Sequence, residues 1–247
     1  MPATAAPRAP TFRPLYLQLK DLLLRNMEAR HWPPGEAMPS ELELAARFGV
    51  SQGTVRKAID ALATDNLVVR RQGKGTFVAT HTEEKTSMFR FLRIRRNDGG
   101  DEYPASRLVD VRRGRATAEV ARLLELKPAE SVIVVRRVLE YGGEPVVLDD
   151  ITLPAALFRG LTRARIEGYR GSMYSLFETQ FGVRMLRAQE KVKAIAADAA
   201  SAALLKVRSG DPLLAVERLT RTYGDRPVEW RRGLCCTRRH HYLNDLC

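Results

Sequence analysis

Between residues 123 and 229 the chain nearly repeats itself. Leu123-Leu124 through Arg137 aligns with Leu204-Leu205 through Arg218 at an offset of 81 residues. Glu144-Pro145 then aligns with Arg226-Pro227 at 82, one residue having been inserted. Each copy reads as a helix end, a turn, a strand, a Gly-containing hairpin and a return strand. Two such units imply one antiparallel sheet with pseudo-twofold symmetry, not two separate domains. Strand-like runs at Ser106–Arg113, Ser131–Tyr141, Glu144–Leu153, Val183–Ile195, Leu213–Tyr223 and Pro227–Cys236 alternate with short helices. The repeat places Asp149 and Arg231, on matching return strands, in comparable positions about a central axis.

The first 80 residues follow a different grammar. The Pro- and Ala-rich start, residues 1–13, reads as a tail. From Pro14 to Arg30, Leu15, Leu19, Leu22, Leu23 and Met27 keep helical spacing, and Pro33-Pro34-Gly35 stops the helix. Ser40 followed by Glu43 is a capping box that starts a second helix, expected to bury Leu44, Ala45 and Phe48 and to end at Gly49. Ser51 caps a third, whose inner face is Val55, Ile59 and Leu62. Leu67–Arg71 and Thr76–Ala79, joined by Gln72-Gly73-Lys74-Gly75, form a hairpin with a basic tip. Helix, helix, short turn, helix and two-stranded wing together make a winged helix-turn-helix over residues 14–79. A polar linker, 80–87, separates it from a sheet domain over 88–243. The fold class is therefore α+β.

Charge narrows the partners. The 247 residues carry 41 Lys plus Arg against 29 Asp plus Glu, a net of +12. Asn66 to Arg96 concentrates eight basic residues against Glu83 and Glu84. Such an excess favours polyanions, nucleic acid before anionic membrane. No apolar run approaches the roughly eighteen residues of a membrane span. The start lacks the apolar segment of a secretion signal, so a cytoplasmic location is expected. Three Cys, two of them adjacent (Cys235, Cys236) and one terminal (Cys247), make neither a disulfide framework nor a metal spacing.

The motifs Pro39-Ser40-Glu41-x-Glu43-Leu44-Ala45, Gly49-Val50-Ser51, Thr54-Val55-Arg56 and Gly73-Lys74-Gly75-Thr76-Phe77-Val78 resemble the GntR family of bacterial transcriptional regulators. In the second half, Gly143-Glu144-Pro145, Gly171-Ser172-x-Tyr174, Phe181-Gly182-Val183 and Arg226-Pro227-Val228-Glu229 resemble the UTRA effector domain of the HutC-type subfamily. That resemblance implies a chorismate-lyase-like antiparallel sheet, flanked by helices, with a small-molecule pocket.

In a winged helix the recognition helix enters the major groove with its N-terminal residues at the base edges. Gln52, Gly53 and Arg56 face outward if Val55, Ile59 and Leu62 face in. Arg56 can bond guanine bidentately and Gln52 adenine, while Lys57 suits a phosphate. Gly73 and Gly75 allow close approach at the wing tip, beside Gln72 and Lys74. With Ser40, Glu41, Leu42, Ser51 and Thr54 these are the candidate DNA-binding residues. The family commonly has Arg where Leu42 and Gln52 stand here, which puts the usual operator sequence in doubt. Candidate ligand-binding residues are Arg90, Arg137, Asp149, Ser172, Tyr174 and Glu229. Sugar-phosphate binders of the family pair two Arg one residue apart, but this chain has Arg137 and then Leu139, and Cys235 stands where a Tyr is expected. A carboxylate is thus better served than a doubly charged phosphate. Arg137 could equally form a sheet-face ion pair with Asp149 or Glu229.

The expected function is a ligand-responsive repressor, homodimeric on a palindromic operator in double-stranded DNA and released by a small anionic metabolite, a carboxylate or sugar phosphate. An enzyme on the same sheet fold is the rival, and a ligand-independent DNA binder the third reading. His31, His81, His240 and His241 make no metal-binding spacing, and no G-x-S-x-G, P-loop or G-x-G-x-x-G occurs. No metal, cofactor or catalytic residue is expected.

Overall fold

Leu19, Leu23 and Met27, four residues apart, form the buried stripe of helix α1 (Leu15–Glu28). Leu15 and Leu22, counted into that face by spacing, are 54% and 42% exposed. At 100° per residue both fall on the same margin of the stripe, so its edge is left in solvent. Ser40 caps α2 (Glu41–Phe48): its hydroxyl accepts the Glu43 N–H at 3.3 Å, and the Glu43 carboxylate accepts the Ser40 N–H at 2.8 Å. Of the three apolar residues expected inside, only Leu44 is buried, while Ala45 and Phe48 are half-buried on this eight-residue helix. Gly49 ends α2 in the left-handed region (φ 64°), where a side chain would be strained. Ser51 accepts the Thr54 N–H and starts α3 (Gln52–Thr64), whose Val55, Ala58, Ile59 and Leu62 are fully buried. Strands β1 (Val68–Arg71) and β2 (Gly75–Val78) pair from Val68↔Val78 to Arg71↔Gly75. Residues 35–38 run beside β2, with Met38 N–H donating to Thr76 O at 2.8 Å, which the Pro-rich sequence did not suggest.

This computed structural model describes residues 13–65, 67–80, 92–100 and 102–244. The chain divides into two units between Ala79 and Thr80. The expected tail, apart from Arg13, most of the expected linker, and Arg90 lie outside the described residues.

The second unit is one six-stranded antiparallel sheet with a two-stranded satellite. Its elements are β3 (Ile94–Arg96), β4 (Ala105–Arg115), α4 (Ala118–Leu123), β5 (Ser131–Tyr141), β6 (Glu144–Pro154), α5 (Arg163–Glu167), α6 (Met173–Phe181), β7 (Arg187–Ala196), α7 (Ala199–Leu205), β8 (Pro212–Arg221), β9 (Pro227–Cys235) and β10 (His240–Tyr242). The strand order β4-β5-β6-β9-β8-β7 reads alike from either edge once the copies are exchanged. Strand, helix, hairpin (β4-α4-β5-β6) recurs as β7-α7-β8-β9. At the centre β6 pairs with β9, with Asp149 opposite Gly233 and Ile151 opposite Arg231. The 82-residue offset exchanges these two pairs, so the pseudo-twofold axis passes through the Asp150↔Arg232 pair between them.

Helices pack on both faces of the sheet, while the edge strand β7 stays largely exposed. On one face α4 packs Val120 and Ala121 with Val132, and α7 packs Ala202 and Leu205 with Leu148 and Leu213. On the other, Phe177 of α6 joins Phe158 and Met185 over Ile133, Val135, Ile151 and Leu153. Val183–Leu186, expected as the start of a strand, are consecutively buried and lead into β7. The ladder with β8 begins only at Arg187, opposite Arg221. Similarly β8 stops at Arg221, and Tyr223–Asp225 form one 3₁₀ turn. His240 and His241, read as part of a basic tail, lie in β10 and pair with Arg96 and Arg95 of β3. Three-residue strands carry too little pattern to be seen in sequence.

Candidate functional site

Each unit presents one site. On the first, α3 carries Gln52, Gly53, Arg56 and Lys57 exposed on the side opposite its buried row. Ser51 and Thr54 close the helix start, their hydroxyls 2.9 Å apart. Glu41 gathers the polar groups of this face. Its Oε2 takes Arg56 at 3.0 Å and Gln52 Nε2 at 3.4 Å, and its Oε1 takes Arg70 at 3.3 Å. Arg70 also reaches Asp60 at 2.7 Å. Arg56 is thus exposed yet held at a fixed place on the helix. Leu42 is 69% exposed, so it is not covered by α1. At the wing, Gln72, Gly73, Lys74 and Gly75 are exposed, and Gly73 and Gly75 adopt φ of 70° and 101°. Arg70, next to last on β1 and opposite Thr76 near the wing tip, is a basic residue that sequence reasoning did not single out.

The second site is a cavity of about 530 Å³ against the sheet face that bears α6. Arg137 (β5), Asp149 (β6), Gly233 and Arg231 (β9) and Arg218 (β8) form its sheet side, and Ser172, Met173 and Tyr174 come from the start of α6. Ile94 of β3 and the two residues before it, Leu92 and Arg93, reach it, as does Tyr242 of β10. Four of the candidate ligand residues therefore share one cavity: Arg137, Asp149, Ser172 and Tyr174. Glu229 does not line it. Fully buried, it accepts the Tyr174 hydroxyl at 2.7 Å and Thr220 at 3.1 Å, and pairs with Arg231 at 2.9 Å. Ser172 caps α6 by accepting the Ser175 N–H at 3.1 Å.

Buried charges here neutralise one another. Asp149 Oδ2 accepts Arg137 Nε and Nη2 at 3.1 and 3.0 Å and Arg231 Nη1 at 3.2 Å. Arg218 pairs with Glu190 at 2.6 Å, and Glu190 also accepts the Tyr242 hydroxyl. Burial works to raise the Asp149 carboxyl, but the Arg231 and Arg137 guanidiniums overcome it and hold the group below its usual range. Burial lowers Arg137, raises Tyr174, and pushes the Cys235 thiol up, away from reactivity. Burial and the Glu190 hydrogen bond lift Tyr242 to about 12. Arg218 and Arg231 were missed as cavity residues. The repeat held the signal, because Arg218 occupies the position of Arg137, and Arg231 that of Asp149. Among the described residues no group of three or more His, Cys, Asp or Glu could hold a metal ion.

A winged helix followed by a cavity-bearing, pseudo-symmetric sheet domain defines a DNA-binding transcriptional regulator with an effector domain. The comparisons with known proteins give its family. The model of bacterial regulatory proteins of the gntR family matches residues 15–78, the UTRA domain model matches residues 100–241, and the chain belongs to this family. The histidine utilization repressor of Pseudomonas aeruginosa is 30% identical over 218 residues, 84% of this chain and 81% of that protein. The transcriptional repressor NagR of Bacillus subtilis is 28% identical over 209 residues, 84% of each. Among solved structures, the ligand-binding domain of a candidate GntR-family regulator from Bordetella bronchiseptica is 46% identical with a TM-score of 0.62, covering 64% of this chain and 99% of that one.

Proposed function

We propose that this regulator is a homodimeric repressor, bound to a palindromic operator through α3 and the wing and released by a small carboxylate that enters the cavity of the sheet domain. The observation that carries this reading is the charge balance of the cavity. Arg137, Arg218 and Arg231 are buried there, and each already has a carboxylate partner in Asp149, Glu190 or Glu229. Arg93 and Glu167, also in the wall, add one charge of each sign, so four guanidiniums against four carboxylates leave little net positive charge for a phosphate dianion. A monoanion with an apolar body suits a wall that also contains Leu108, Leu139, Val147, Met173 and Val216. One winged helix reads only a few base pairs, so a two-fold dimer on two half-sites supplies the missing length and affinity. The repressors among its relatives favour repression over activation.

The test is a panel of metabolites screened by thermal shift on the full chain, with each stabilising compound then added to a gel shift on the DNA upstream of its gene. A carboxylate that stabilises the chain and releases the DNA supports the reading. A stabilising compound that is chemically converted points instead to an enzyme, and a monomer mass by light scattering at micromolar concentration rejects the dimer.

A further inference from the structure

The pseudo-twofold axis shows how the cavity comes to be open. Arg137, Asp149 and Gly233 lie in one row across β5, β6 and β9. The repeat maps this row onto Arg218, Arg231 and Ile151, which lie in register across β8, β9 and β6. Where the second row has Ile151, fully buried under Phe158 and Phe177, the first has a glycine lining the cavity. Gly233 has no positive φ, so its backbone does not require glycine. What excludes a side chain is space: a Cβ there would stand 3.1 Å from Asp149 Oδ1 and 3.6 Å from Val147 Cγ1. Asp149 cannot simply swing aside, since its Oδ2 accepts three hydrogen bonds from Arg137 and Arg231. Its Oδ1 has no hydrogen-bond partner among the described residues.

We propose that Gly233 is the specificity-determining position of the effector cavity: by carrying no side chain it leaves Asp149 Oδ1 open to an N–H or O–H donor of the ligand. This rests on the effector reading of the cavity and adds to it the class of ligand: an anion that also carries a donor. Arg137 takes the anionic group and Asp149 takes the donor, side by side in one strand row. A methyl at 233 sits over Oδ1 and removes the advantage of having a donor.

The experiment compares pyrrole-2-carboxylate with furan-2-carboxylate by calorimetry on the full chain, wild type and Gly233→Ala. The two probes differ only in a ring N–H against a ring oxygen. Wild type should bind the pyrrole at least about tenfold more tightly, the size expected for a hydrogen bond to a charged acceptor. Gly233→Ala should lose that preference while keeping its affinity for the furan. An equal preference in both proteins, or no preference in wild type, overturns the proposal. If wild type binds only carboxylates of other shapes, the same comparison on a donor and non-donor pair of that shape decides it. If no carboxylate binds, the effector reading fails first. Should Gly233→Ala not fold, a crystal structure of wild type with the pyrrole decides: ring nitrogen on Asp149 Oδ1 supports the assignment, and any other placement overturns it.

Discussion

Replacing Arg231 by Met tests whether the buried charges hold the sheet domain together or merely sit in it. Arg231 bonds two carboxylates, Asp149 at 3.2 Å and Glu229 at 2.9 Å, and stacks its guanidinium 5.2 Å from the centre of the Tyr174 ring. Met fills much of the same volume, so the loss is chiefly electrostatic. Asp149 keeps its two bonds from Arg137. Glu229 keeps Tyr174 and Thr220, but both sit on Oε1, so Oε2 is left without its donor at full burial. Removing one member of a buried pair costs about 3–5 kcal/mol. For a domain of this size that corresponds to a melting temperature lower by roughly 6–20 °C. The companion variant Arg231→Met with Glu229→Gln removes both charges while the Gln oxygen still accepts from Tyr174 and Thr220, and it should recover more than half of the loss. Urea unfolding of wild type, single and double variants measures the coupling. A single variant within about 1 kcal/mol of wild type, or a double variant no better than the single, would refute the claim that these charges are mutually dependent.

Arg56→Ala should weaken operator binding by about 1–3 kcal/mol and relax base preference at one position per half-site. Folding stability should hold within about 0.5 kcal/mol, because the Arg56–Glu41 pair is exposed and Glu41 keeps Arg70. Lys74→Ala should weaken binding to all sequences alike and lower the salt slope by about 1 per subunit; an unchanged slope places the wing off the phosphates. His240 is buried against Tyr141, and burial, with Arg96 nearby, lowers its imidazole from the ordinary value. A depressed folded value means stability is complete above the unfolded value near 6.5 and is lost as pH falls through the folded one. Unfolding curves at pH 7, 6 and 5 should therefore show a decline that His240→Phe reduces, and equal slopes in both proteins would contradict it.

The parts of the fold legible in sequence are those whose signal is local or repeated. Ser40 with Glu43, Gly49 and Ser51 each act within one helical turn, so the helix starts and the stop between them follow from a few side chains. The sheet was legible for a different reason: the offset of 81 to 82 residues ties distant strands together, which periodicity within one strand cannot do. What escaped depends on contacts between segments without a pattern of their own. The β3–β10 pair has three residues on each side, and nothing in Ile94–Arg96 or His240–Tyr242 announces the other. Leu15 and Leu22 look like core by spacing, and only the packing of α1 shows where its stripe ends.

For the cavity the repeat was a better guide than residue type. Arg137 read alone is either a ligand contact or an ion-pair partner, and the structure shows it paired with Asp149 while lining the cavity. Its repeat mate Arg218 is likewise paired, with Glu190, and likewise in the wall. The axis then makes the differences between the copies informative. Asp149 against Arg231 gives two opposite charges that meet across the axis, and Gly233 against Ile151 gives a gap on one side and packed core on the other. A symmetric sheet with matching residues would close both sides or open both. Building one cavity on such a frame therefore requires unlike residues at equivalent positions near the axis, and those are visible in the sequence once the offset is known. What the offset cannot show is which copy faces a helix cap. Ser172 and Tyr174 stand at the start of α6, an element without a counterpart in the repeat, and only the folded chain brings them over the Gly233 side.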